Sequence, residues 1–285
     1  MRSTLEHPDL ADLDVKLVEL PRSVGFAAAR NRGVDSVDSP FVIFMDDDLV
    51  AERRLVESHL AIVERPSEMI HPTVTYGVFV QPADTELSPW AEWEARQSKK
   101  EADSLIRGDR PATWRELHTA NNCVPVATFR ALGGFDERFA TGEDDEFAAR
   151  LQLAGCAFVF RPTAMVFRYT DRSVEEWLAL ARSYASSDVE IDQLHPTLQY
   201  LSQRESELGH GNPVVRVVRV VLSSKKATDI GVSTALAAGR LAHRFGVRAI
   251  SNGALSIAYD LSYNRSMRER KQTQQAISRE EDPRC

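Results

Sequence analysis

The stretch FVIFMDDDL, residues 41–49, decides the fold: an apolar run is followed at once by three aspartates. Such a run is typical of a strand buried on both faces of a parallel sheet. Upstream, residues 15–20 (VKLVEL) alternate like a strand, and SVGFAAARNRGVDS predicts a helix that ends at Gly33. Strand, helix and strand form a βαβ unit, so we expect an α/β fold. Asp46–Asp48 would then lie at the carboxyl end of a strand, where ligands bind in open α/β sheets.

The rest of the chain continues this mixture of strands and helices. Periodicity and turn residues predict, in chain order, a helix over 50–64, a strand over 73–81, a helix from Ser88-Pro89, a helix near 126–132, a helix from the acidic cluster at 143 to Leu153, two short strands around Arg161-Pro162, helix over 174–208, a strand or helix over 214–222, and one or two helices over 229–263. The end of the chain, MRERKQTQQAISREEDPRC at 267–285, is polar.

Composition excludes several classes of protein. The chain has 285 residues, 43% of them hydrophobic, and a formal net charge of −7. This is too apolar for a disordered chain and too acidic for a dedicated nucleic-acid binder. Three scattered cysteines indicate neither a disulfide framework nor a zinc site, and no apolar run is long enough to span a bilayer. The polar, acidic start resembles no signal peptide. We therefore expect a cytoplasmic protein.

The acidic residues concentrate in two clusters that suit chemistry. Asp46–Asp48 after a buried strand could bind Mg²⁺ or Mn²⁺, which take oxygen ligands. The alternative is an aspartate-rich turn. Glu143–Glu146 opens a helix, where acids are favoured by the helix dipole. A carboxylate there could instead act as a general base. The residues alone leave both pairs of interpretations open.

Four pieces occur in order along the chain: VGFAAARNRGV at 24–34, FVIFMDDDL at 41–49, LGGFDERF at 132–139 and GEDDEFAARLQLAG at 142–155. Together they make the sequence similar to the family-2 glycosyltransferases, which have the GT-A fold. The resemblance implies an α/β fold of GT-A type, a mixed sheet flanked by helices, with a helical C-terminal extension. It implies domains at 1–170 (GT-A-like), 171–263 (helical extension) and 264–285 (polar tail).

The resemblance also implies a reaction and its residues. An inverting glycosyltransferase moves a sugar from a nucleotide-diphospho-sugar to a hydroxyl of a saccharide or lipid-linked acceptor. By analogy with the family, Asp144 is the catalytic base, and Mn²⁺ or Mg²⁺ is held by Asp48 and Asp46. The residues implied to bind the donor are Arg30, Asn31, Asp46, Asp47, Asn121, Asn122 and Glu143. For Asn121 and Asn122, loop capping stays an equal alternative.

Two departures from the family pattern bear on activity. The family usually completes its metal shell with a histidine where this chain has Arg168, which cannot ligate a metal but can pair with a diphosphate. The family's opening strand–helix–strand, with P-x-[YF]-N and an acidic V-D-D-G-S, is missing, since only 45 residues precede Asp46. We therefore expect a truncated or variant form with impaired donor binding.

Other functions remain open at this point. Asp46, Asp48 and Val50 also resemble the D-x-D-x-V motif of haloacid-dehalogenase-type phosphatases, which need a downstream Ser/Thr and a lysine. Lys99 and Lys100, in a polar helix, are poorly suited to that role, and the 132–155 pieces would go unexplained. A second alternative is a glycosyltransferase-like scaffold that binds without turnover.

The C-terminal part is basic, with eleven Lys/Arg against three Asp/Glu between residues 213 and 271. Arg240, Arg244 and Arg248 recur at i, i+4 and i+8, with Leu236, Leu241, Phe245 and Ile250 nearby. A basic amphipathic helix can lie on an anionic membrane, here the inner face of the cell membrane. The same pattern also fits a helix packed on the catalytic part with solvated arginines.

Overall fold

The computed structural model describes residues 13–63, 71–82, 84–169, 171–202 and 224–280. Five strands and eight α-helices make up this part of the chain. In order they are α1 (Phe26–Asp35), β1 (Phe41–Met45), β2 (Leu49–Ala51), α2 (Leu55–Val63), β3 (Thr73–Val80), α3 (Pro89–Ile106), β4 (Asn121–Pro125), α4 (Val126–Ala131), α5 (Glu143–Leu153), β5 (Ala157–Arg168), α6 (Val174–Leu194), α7 (Lys225–Arg244) and α8 (Arg248–Glu280). Short 3₁₀ turns occupy Trp114–Glu116 and Pro196–Leu198.

The strands form one mixed sheet in the order β1-β4-β3-β5-β2. Only β3 and β5 pair in parallel; β1 with β4, β4 with β3 and β2 with β5 are antiparallel. The two strands that flank Asp46–Asp48 therefore lie at opposite edges of the sheet. Helices cover the sheet, so the expected mixed sheet with flanking helices is confirmed.

Two strand predictions were wrong. Residues 15–20 form no strand and are largely exposed, because their alternating pattern has no neighbouring strand to pair with in the described chain. As a result β1, expected at the centre of a parallel sheet, is an edge strand antiparallel to β4. The two short strands expected around Arg161-Pro162 are instead one continuous strand, β5, because pairing with β3 continues on both sides of that dipeptide.

The C-terminal helices contribute buried residues to the core. Ala181, Ala185 and Ile191 of α6 are fully buried in the same cluster as Phe44 of β1 and Phe147 of α5. A second buried cluster joins α6, α7 and α8 around Trp177, Leu255 and Ala258, with Trp93 of α3 packed against it. The division at 170 stays a prediction, but α6 shares the core of the preceding residues.

The polar end of the chain is helical further than its sequence suggested. The helix expected to stop near 263 continues as α8 to Glu280. It continues because residues beyond 263 keep contacting α6: Arg270 pairs with Glu190, and Gln193 donates to Gln274 at 2.6 Å. No helix of the described residues is long and apolar enough to cross a membrane. The predicted element at 214–222 lies outside the described residues.

Candidate active site

Both acidic clusters open into one pocket of about 490 Å³. Five parts of the chain meet there: the start of α1, the turn after β1, the loop before β4, the start of α5, and α6. The lining residues are Phe26, Ala29, Arg30, Met45, Asp46, Asp47, Asp48, Thr119, Thr141, Gly142, Glu143, Asp144, Leu180 and Tyr184. The structure thus brings together six of the residues that the sequence singled out: Arg30, Asp46, Asp47, Asp48, Glu143 and Asp144.

Arg30 joins the two acidic clusters. One end of its guanidinium donates to Oδ1 of Asp46 at 2.9 Å, and the other donates to Oε1 of Glu143. The side chain of Arg30 is largely shielded from solvent, and its guanidinium carbon lies 5.6 Å from the centre of the Phe26 ring. Charge-assisted hydrogen bonds of this kind are among the stronger polar contacts in proteins. Arg30 therefore holds carboxylates that come from sequence positions far apart on one wall of the pocket.

Asp144 is oriented by Thr119. The backbone N–H of Thr119 donates to Oδ2 of Asp144 at 3.3 Å, and the hydroxyl lies 3.5 Å from the same oxygen. Oδ1 accepts from the N–H of Asp145 at 3.1 Å. Thr119 itself is buried. The carboxylate is thus held in one orientation at the surface of the pocket, as a proton acceptor requires.

Glu143 is buried at the first position of α5. Burial raises the pKa of its carboxyl, the neighbouring Asp144 adds to the rise, and Arg30 opposes it. Gly142, which precedes the helix, has a positive φ of 75°. A Cβ at Gly142 would come within 2.7 Å of the Cβ of Ser187 on α6, so glycine permits the close approach of that helix.

The helix α6 contributes two pocket residues that sequence reasoning missed, Leu180 and Tyr184. The side chain of Tyr184 is half-buried, and its pKa is raised well above its usual value by burial and then by Asp144 and Asp145. The phenol therefore stays protonated at neutral pH and can donate a hydrogen bond. Helical spacing in α6 predicts an apolar face, but nothing in the sequence indicates which other segment that face meets. Phe26, Thr119 and Thr141 were missed as well.

Asn31 and Asn121, expected to bind the donor, are engaged elsewhere. Asn31 exchanges two 2.9 Å hydrogen bonds with the backbone of Phe135, so it fixes the GGFDE turn against α1. Asn121 points into the sheet, where its amide donates to the carbonyls of Val78 and Ala164 and its oxygen contacts Nε2 of His59 at 2.9 Å. Neither side chain lines the pocket.

Asn122 and Arg168 also lie outside the pocket lining. The amide nitrogen of Asn122 donates to the carbonyl of His118 at 2.7 Å, and the side chain is buried. Arg168 stacks 4.9 Å from the ring of Phe79 and lines a separate, smaller cavity beside Glu94. The expected pairing of Arg168 with a diphosphate in the pocket thus has no support in this arrangement, because the strand β5 turns its side chain toward α3.

The aspartates fit a cation that arrives with phosphate better than one held by protein alone. Among the described residues, no three acidic, histidine or cysteine side chains are grouped to hold a metal ion. Mg²⁺ and similar ions, however, are commonly bound through one or two carboxylates, with water and substrate phosphates completing the shell. Asp46 and Asp48, both lining an open pocket, offer that donor set.

Comparison with solved structures agrees with the fold. The mannosyltransferase PcManGT from Pyrobaculum calidifontis, solved in complex with GDP-Man and Mn²⁺, superposes with a TM-score of 0.51 at 16% identity. The match covers 90% of this chain and 71% of that one. The GT-A fold expected from the sequence is therefore confirmed.

Sequence comparison finds a similarity to one family. Residues 4–113 match the model described as glycosyl transferase family 2. The pre-mycofactocin glycosyltransferase of Mycobacterium tuberculosis is 32% identical over 197 residues, which cover 65% of this chain and 39% of that protein. The chain thus spans about two fifths of the length of the curated relative it matches. The resemblance to the family-2 glycosyltransferases is confirmed, and residues 4–113 carry the family's segment.

Proposed function

We propose that the chain is an inverting glycosyltransferase that moves a sugar from a nucleotide-diphospho-sugar to an acceptor hydroxyl. The observation that carries the proposal is the single pocket in which Arg30, Asp46, Asp48 and Asp144 meet. The M. tuberculosis relative is named as a glycosyltransferase, and the P. calidifontis structure holds a sugar nucleotide. Both support the same chemistry for this chain.

In this proposal the two acidic clusters have different tasks. Asp46 and Asp47 contact the nucleotide, and Arg30 adds a cation beside the diphosphate. Asp144 takes the proton from the acceptor hydroxyl while the acceptor oxygen attacks the anomeric carbon of the donor sugar. The bond between that carbon and the diphosphate breaks in the same step. Attack from the face opposite the leaving group inverts the anomeric centre. Thr119 keeps Oδ2 of Asp144 in place for this proton transfer.

Asp48 and Asp46 are the residues that would hold Mn²⁺ or Mg²⁺. A bound cation there would supply Lewis-acid stabilisation of the departing diphosphate. The P. calidifontis structure contains Mn²⁺, which is consistent with metal use. We propose divalent-metal dependence on this basis.

The experiment is transfer or hydrolysis of radiolabelled UDP- and GDP-sugars with Mn²⁺. We expect the wild type to release the sugar and Asp144→Asn to be slower by about 10²–10⁴-fold, the usual contribution of a general base. Asp48→Ala should lose activity as well. A matched control is Asp35→Asn, which removes an exposed carboxylate at the end of α1 outside the pocket.

Donor affinity, acceptor and location are further proposals. We propose that donor binding is weak, because the resemblance places Arg168 where the family usually has a metal-binding histidine. A dissociation constant in the micromolar range would contradict this impairment. A saccharide or lipid-linked acceptor and contact with an anionic membrane at the cytoplasmic face remain parts of the proposal.

The two other functions are less well supported. A haloacid-dehalogenase-type phosphatase needs a lysine near its aspartates, and the described lining of the pocket contains none. A scaffold without turnover would leave the orientation of Asp144 by Thr119 without a purpose. The transfer assay separates a scaffold from an enzyme, since a scaffold binds donor and releases no sugar.

A further inference from the structure

The turn between α7 and α8 carries a cluster of exposed apolar side chains. We refer to residues 241–250 as the hairpin tip. Its large apolar members are Phe245 (72% exposed), Ile250 (61%), Leu241 (58%) and Val247 (44%). The described part of the chain leaves all four open to solvent. Four large apolar side chains exposed within ten residues of one turn are a candidate interaction site, whereas single exposed apolar residues are common.

The conformation of the hairpin tip is fixed by its backbone. The helix α7 ends at Arg244, and Gly246 just beyond it has a φ of 72°, the left-handed conformation that favours glycine. The N–H of Val247 donates to the carbonyl of Ala242 at 2.8 Å, and that of Gly246 donates to His243 at 2.9 Å. The apolar side chains are therefore held outward by an ordered turn.

The rest of the hairpin is anchored, which sets the direction in which the tip points. Trp93 of α3 donates to Ser256 of α8 at 2.8 Å, and Arg240 stacks 5.2 Å from the ring of Trp90. Glu92 accepts from both His243 and Arg248. The basic stripe expected from Arg240, Arg244 and Arg248 is therefore not one helical face. α7 ends at Arg244, and two of the three arginines contact α3.

The charge around the hairpin tip is positive. Residues 240–250 include Arg240, Arg244 and Arg248 and no Asp or Glu. Arg244 is exposed at the tip beside Phe245. An apolar turn flanked by arginines fits the interface of an anionic bilayer, where apolar side chains enter the acyl boundary and guanidinium groups pair with lipid phosphates. Cations near such a surface gain further attraction from its negative potential.

We propose that the hairpin tip binds the protein to an anionic membrane surface by inserting its apolar side chains at the boundary between lipid headgroups and acyl chains. This inference gives the membrane contact a new location and does not depend on the transferase activity. Its failure would leave the proposed chemistry of the pocket untouched, and the reverse also holds.

The test is co-sedimentation with phosphatidylcholine vesicles that do or do not contain phosphatidylglycerol. We expect the wild type to bind the anionic vesicles, and the double variant Phe245→Ser/Ile250→Ser to bind at least about tenfold more weakly, or ~1.4 kcal/mol. Arg244→Gln should reduce binding and its sensitivity to salt. The matched control is Ile230→Ser, which removes an equally exposed residue (67%) from the same helix. Fifteen residues, or roughly 22 Å of helix, separate it from Phe245.

Four results would overturn the proposal. The first is a wild type that binds neither kind of vesicle, and the second is a double variant that binds like the wild type. The third is an Ile230→Ser variant that loses as much binding as the double variant. The fourth is a dimer in sedimentation velocity that the double variant abolishes, because the tip would then bind a second copy of the chain. Unchanged thermal midpoints verify that the exposed substitutions leave the fold intact.

Discussion

Arg30 donates a 2.9 Å hydrogen bond to Asp46, and its other end reaches Glu143 in the second acidic cluster. Because one guanidinium ties both clusters together, Arg30→Ala should weaken binding of a nucleotide-diphospho-sugar by about tenfold to a hundredfold, the value of a charge-assisted bond. Calorimetric titration measures this. Arg32→Ala is the matched control, since Arg32 is exposed and pairs only with Asp35 among the ion pairs described. Equal losses for both variants would contradict the role of Arg30.

Thr119 should affect the rate of transfer rather than binding. Thr119→Val keeps the backbone N–H that contacts Asp144 and removes the hydroxyl near Oδ2. We expect kcat to fall about threefold to tenfold with KM for the donor unchanged, as for loss of one modest hydrogen bond. Steady-state kinetics with varied donor checks this, and Thr119→Ser should restore most of the rate. A change confined to KM would assign Thr119 to binding instead.

Tyr184 offers a protonated phenol to the pocket from α6. Tyr184→Phe removes only the hydroxyl, and we expect kcat/KM for the acceptor to fall by about tenfold. The thermal midpoint should hold, because the described residues offer this hydroxyl no hydrogen-bond partner. Tyr169→Phe, at an exposed position outside the pocket, is the control. Unchanged kinetics in Tyr184→Phe would show that the ring serves only for packing.

His59 should make stability depend on pH. Burial lowers the pKa of this histidine below its ordinary value of 6.5. Between the lowered pKa and pH 6.5, His59 is therefore protonated in the unfolded chain and neutral in the folded chain. Stability therefore falls as pH decreases below 6.5, by up to about 1.4 kcal/mol per pH unit, and levels off below the lowered pKa. Urea unfolding at several pH values measures this. His59→Gln should be less stable at pH 7.5 but show a shallower slope, whereas His71→Gln, at an exposed position, should keep the wild-type slope.

The sequence predicted the pocket residues on α1, on the turn after β1 and on α5 better than those on α6. Arg30, Asp46 and Asp144 were found because each stands in a short motif at the end of an element, where local sequence determines position. Asn121 was misplaced because its side chain points into the sheet and bonds to β3 and β5, which no local pattern reveals. Tyr184 was missed because its contact with the pocket depends on how α6 packs. Residues 15–20 show that alternation alone does not produce a strand when no partner is adjacent.

The central claim is that this pocket binds a nucleotide-diphospho-sugar through a divalent cation. Calorimetric titration of UDP- and GDP-sugars, with and without Mn²⁺, into the wild type and Asp48→Ala tests it most directly. We predict Mn²⁺-dependent binding by the wild type, weaker than micromolar, that Asp48→Ala abolishes. Binding that is independent of Mn²⁺ or retained by Asp48→Ala, or no binding of any donor by the wild type, would contradict the claim.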